Sequence, residues 1–195
     1  MYNHAPNKIF QNQEAAQKIP QLVGRLMPLK TWGFKQSALF FTKSNYPVAI
    51  YDSEQCRVRF LLDQDRNGNS MFVSYGRLHA LNDQEVMRWN GDECYCWHSI
   101  NMAIRFLDDI SLSQVAEKQF KRPKIIEEFE SSELAKSTKD VSERTLFMHA
   151  SIWKHYGNRL FNLYDLRQPE LWERFAQFSE KFHKKTNLQT EHKIC

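Results

Sequence analysis

The segment Asn90-Gly91-Asp92-Glu93-Cys94-Tyr95-Cys96-Trp97-His98 gathers thiols, carboxylates, an imidazole and two aromatic rings in one short stretch. Cys96, Ile100, Ala103, Ile104 and Leu107 recur at helical spacing, which predicts a helix from about residue 93 to 108. A thiol at the start of that helix feels the positive end of the dipole, which favours thiolate. Cys96 or Cys94 is therefore a candidate nucleophile, with His98, or His149 or His155 brought near in space, as base. Asp92 and Glu93 oppose this, since adjacent negative charge disfavours thiolate. The competing assignment makes Cys96 a small hydrophobe on the buried face of the helix, and it weighs more. Cys94 and His98 stand four apart and would share a helix face as metal ligands. Zinc needs three or four ligands, and no CxxC or HxxxH partner is evident, so neither metal nor cofactor is expected.

Over about eight residues, Gly91 through Cys96-Trp97 resembles the papain-like cysteine hydrolases, in which the catalytic Cys precedes Trp at a helix start. The resemblance implies Cys96 as nucleophile. The order of elements departs from that family, because there the β-rich portion follows the helix and here it precedes it. His149 and His155 moreover fall within a predicted helix.

A second constellation is cationic. Arg57 and Arg59 project from one face of a predicted strand, opposite Cys56, Val58 and Phe60, and Arg77 and His79 leave the end of its partner. If that face is covered, the arginines need carboxylate partners, for which the acidic segment 81–109 is the obvious source. If it is open, they form with Tyr51, Tyr75 and Trp89 a cationic, aromatic-lined groove suited to a small anionic ligand or an acidic protein surface. Asp63-x-Asp65-x-Asn67-Gly68-Asn69 has the opening of a calcium loop, but Ser74 stands where a bidentate Glu is required, and a hairpin turn explains the same residues.

The elements that must position these groups follow from periodicity. Ile19, Leu22, Val23, Leu26 and Met27 predict a first helix with Pro20 in its first turn. Strand character follows at 38–42, 48–52, 56–62 and 71–76, the last two joined through Asp65-Arg66-Asn67-Gly68. From residue 82 the period is helical. Capping signatures open helices at 83–89 and 111–121; 124–140 reads as a charged, solvated helix-and-loop connector. Asp140 with Glu143 opens a helix to Tyr156 stopped by Gly157, and Pro169 opens the last, which buries Leu171, Trp172, Phe175, Phe178 and Phe182. The expected architecture is α+β: an N-terminal helix, an antiparallel meander of about four strands, then about five helices packed on one sheet face.

The 195 residues fit one domain, with ends frayed over 1–15 and 186–195. No secretory signal and no apolar run long enough to span a bilayer occur, which points to the cytoplasm and away from a membrane. Four cysteines do not make a disulfide framework. The net charge of +4 is too mild to indicate nucleic acid, although basic residues concentrate in 30–80 and acidic ones in 81–109.

Within the first 80 residues, Trp32-Gly33-Phe34 and Tyr51-x-Ser53-x-x-Cys56-Arg57-Val58-x-Phe60 resemble small bacterial α+β families of unknown function, some similar to immunity proteins that neutralise toxins by binding them. That resemblance implies a binding role and transfers no catalytic residue. The sequence thus favours a cytosolic protein that binds a protein partner or an anionic ligand. A thiol-dependent hydrolase or transferase and a weak nucleic-acid binder are the alternatives. Aromatic-rich amphipathic helices also suit a homodimer interface.

Overall fold

Period-two alternation builds the sheet. Strands β1 (Lys35–Phe41), β2 (Pro47–Asp52), β3 (Cys56–Asp65) and β4 (Gly68–Arg77) pair antiparallel in sequence order, so the predicted meander forms, with strands longer than their apolar runs. The computed structural model describes residues 7–42, 45–65, 68–78, 97–109 and 122–191, and side chains within 17–42, 45–63, 69–78, 97–109 and 122–182. Cys56, Val58, Phe60 and Leu62 of β3, with Met71, Val73 and Tyr75 of β4, line one buried inner face. The outer face carries Val48, Ile50 and Asp52 of β2, Arg57, Arg59 and Leu61 of β3, and Phe72 and Ser74 of β4. Pairing continues to Asp65 opposite Gly68, so the carboxylates of the calcium-like run belong to a hairpin, with Asp63 opposite Ser70.

Helices cover the inner face. In α1 (Asn7–Leu26) the side chains of Ile19, Leu22 and Val23 are buried against the sheet. This helix starts well before the apolar stripe, which leaves Pro20 in its interior instead of its first turn. Burial of the flanking side chains offsets the backbone bond that proline forfeits. A 3-10 turn (Leu29–Trp32) ends at Gly33, whose φ of 80° lies in the left-handed region that favours glycine. Then follow α2 (Ile100–Leu107), α3 (Lys124–Ser131), α4 (Glu133–Ser137), α5 (Val141–Tyr164) and α6 (Pro169–Glu191), completing an α+β fold. Asp140 caps α5 by accepting from the Glu143 N–H, and Ser142 Oγ ties the same end to Asn69 O of β4 at 3.0 Å.

Three sequence-based expectations need correction. The helix expected from residue 93 begins at Ile100, because His98 is extended and exchanges both backbone hydrogen bonds with Tyr75, at 2.8 and 2.9 Å. Gly157 does not stop α5. Trp153 packs beside it, and burial of Leu160, Leu163 and Tyr164 carries the helix another two turns. The helix-and-loop connector expected at 124–140 is helical but less solvated than its charge implies, since α3 and α4 are held by buried Ile126 and Phe129 and by Ser132, whose hydroxyl accepts from Ala135 N. The predicted helices 83–89 and 111–121 lie outside the described residues, as do Cys94, Cys96, His79 and Trp89. Among the described residues, no helix is long and apolar enough to cross a membrane.

Candidate functional site

The sheet separates the predicted site residues into two environments. Tyr75 points inward, and so does Arg77 two residues later, whereas Arg57 and Arg59 point outward. These four residues of the predicted groove therefore do not share one face.

On the inner face Tyr75, His149 and Cys56 are neutral; the first two satisfy each other, while the buried Tyr164 hydroxyl lacks a partner among the described residues. Burial pushes His149 down to about 3 and lifts Tyr75 well above the usual phenol range, so both are neutral, and the Tyr75 hydroxyl and His149 Nδ1 share a hydrogen bond at 2.6 Å. The two rings also stack, with centroids 5.6 Å apart, and Trp153 and Tyr164 pack around Tyr75. Cys56 lies in this core with its thiol pushed up to about 12, first by burial, and is chemically inert at neutral pH. His149 is therefore committed to the core. His98 is buried as well, its ring edge-on to Phe175 at 4.7 Å and to Trp172 at 5.5 Å.

Arg77 closes the end of α5. Its guanidinium donates to the carbonyls of Tyr164 and Asp165, at 3.4 and 2.9 Å, and lies 5.0 Å over the Trp172 ring. Those carbonyls lie at a helix C-terminus, where a cation is favoured, and the Asp165 carbonyl also accepts from the Gln168 N–H at 3.0 Å. The Asp165 carboxylate itself is gripped by Arg167, whose hydrogen bonds hold it below the ordinary carboxylate range.

On the outer face the two arginines differ. Arg57 forms a bidentate pair with Asp52, its cross-strand partner, with Nε to Oδ1 at 2.7 Å and Nη2 to Oδ2 at 2.9 Å. The carboxylate thus comes from the neighbouring strand, a source that sequence reasoning, looking to 81–109, passed over. Arg59 lies opposite Ile50 on one side and Ser74 on the other. Its guanidinium sits 4.7 Å over the Trp97 ring and donates one long bond, 3.3 Å, to Ser74 Oγ. Burial draws it down to about 10. Its Nε–H and the Trp97 indole N–H are both sealed from water and lack an acceptor among the described residues. Trp97 joins Val48 and Ile50 in a small apolar cluster that closes part of this face. Phe72, 56% exposed, leaves the adjoining part open.

A further surface escaped sequence reasoning altogether: a groove of about 560 Å³ between α3, α4 and α5. The chain matches no protein-family model, and neither a curated protein nor a solved structure is significantly similar to it.

Proposed function

We propose that this protein works by binding, with Arg59 on the outer sheet face as the anchor for a carboxylate presented by a protein partner. The observation that supports this is a partly desolvated guanidinium with no carboxylate among the described residues, stacked on a tryptophan beside an exposed phenylalanine. Leaving such a cation without a counter-ion is costly, and supplying one restores a charge-assisted hydrogen bond in a low-dielectric setting. Arginine and aromatic side chains are also the residues that carry most energy in protein interfaces. A sheet face with Phe72 standing out suits a protein surface better than a small molecule, which prefers a concavity. The thiol-hydrolase alternative loses ground because His149 is buried, neutral and bonded to Tyr75.

The test is a titration of the arginine Nε–Hε NMR signals with a short peptide carrying two glutamates. The Arg59 signal is expected to shift saturably while those of Arg57 and Arg77 hold still, and Arg59→Met removes the response. Equal, graded shifts at all arginines would mean non-specific screening and defeat the proposal.

A further inference from the structure

The groove on the opposite side of α5 from the sheet is built by two helical stripes. On α3, Glu128 and Phe129 follow Ile125 by three and four positions; on α5, Phe147 is followed at helical spacing by Lys154 and His155. Leu134 of α4 stands at the groove, 46% exposed. The inward stripe of α5, His149, Ile152, Trp153 and Tyr156, fills the main core. Phe129, Leu134 and Phe147 belong to neither core cluster; Phe129 is itself buried at the groove wall, and Leu134 and Phe147 are the large apolar side chains that sheet-side packing leaves at the concavity.

Charge is unbalanced across the groove. Glu128 on the α3 wall is paired with Lys124 at 3.5 Å, one turn earlier on the same helix. Lys154 on the α5 wall is exposed and has no carboxylate partner among the described residues. The walls are helices whose backbone groups are internally bonded, and the Ser132 hydroxyl at their junction is occupied by Phe129 O and Ala135 N. An added strand would therefore find no main-chain partners here, whereas a helix arrives with its own backbone satisfied.

We infer that this groove docks an amphipathic helix of a partner protein, with apolar anchors on Phe129, Leu134 and Phe147 and a carboxylate flank against Lys154. The eight residues of α3 span about 12 Å, room for roughly two turns of such a helix, with anchors at i, i+4 and i+7. This inference is independent of the Arg59 site, which lies on the far side of the sheet.

The probe is a synthetic helix of about 15 residues with leucines at those three positions and glutamates along one flank, compared with the same peptide carrying lysines there. The acidic peptide is expected to bind saturably, with NMR shifts centred on Leu134, Phe147 and Lys154. Lys154→Glu should weaken it about tenfold or more and transfer preference to the lysine peptide. Leu134→Ser, at an exposed position, should weaken both peptides with the fold intact. Equal binding of the two peptides irrespective of residue 154, shifts centred elsewhere, or no saturable binding would overturn the inference. Shifts of Leu134 and Phe147 that grow with protein concentration in the absence of peptide would also overturn it, because they assign the groove to a second copy of this chain.

Discussion

The two faces of one sheet treat polar groups in opposite ways. Inside, Tyr75, His149 and Cys56 are held neutral by burial, and the hydrogen bond between the first two turns potential charge into packing. Outside, Arg57 and Arg59 retain their charge, one matched by Asp52 and the other resting on Trp97. Side chains two residues apart on β3 share direction and type, and among the described residues the carboxylate of Asp52 is what distinguishes the paired Arg57 from Arg59. Residue type says little about function until the cross-strand register is known.

The largest effects are expected inside. Trp153 is buried and packs with Trp32, Phe34, Tyr75 and Phe161, so Trp153→Ala should cost ~3–5 kcal/mol in denaturant unfolding. Inner-face pH dependence comes next. His149 titrates near 6.5 when unfolded and at about 3 when folded, so between those values the unfolded chain binds the extra proton. Stability from this group is fully present above pH 6.5 and is lost as the pH falls toward 3, by an amount on the order of 4 kcal/mol. The Tyr75→Phe/His149→Phe double variant removes both partners of the hydrogen bond together, and its unfolding free energy should be correspondingly flatter over that window. An unchanged slope would show that His149 is not the group responsible.

Outside, the effects are smaller and separate the two arginines. Arg57→Met leaves Asp52 without its bidentate partner, and because the Asp52 side chain is 24% exposed the expected loss is moderate, ~1–3 kcal/mol. A loss near zero would mean that the pair is screened and that the contrast between the arginines is not set by Asp52.

Much of this architecture was legible in the chain itself. Alternation along Cys56 to Leu62 and the Asp-Arg-Asn-Gly turn gave the β3–β4 hairpin, and Asp140 with Glu143 marked the start of α5. The misreadings share a cause, namely long-range contact overriding a local signal. His98 is drawn out of a helix by backbone pairing with Tyr75, and Gly157 is carried through by the buried residues beyond it. At the arginines, the outward direction of Arg57 and Arg59 followed from period two, but their partners depended on register with β2, which a linear scan does not supply. The α3–α5 groove was hidden because charged residues dominate 124–140. Ile126 and Phe129, three apart, were the signal that could have revealed a packed helix there.

The most direct test of the account is the unfolding free energy of Arg59→Met, which keeps an unbranched aliphatic side chain and removes the charge that sits over Trp97. Its stability should equal or exceed that of the parent, within ~0.5 kcal/mol on the losing side, because the cost of desolvating a cation without a carboxylate offsets its contact with Trp97 and its long bond to Ser74. A loss as large as that of Arg57→Met would show that Arg59 is a structural residue, and the outer face would lose its claim to be the binding site.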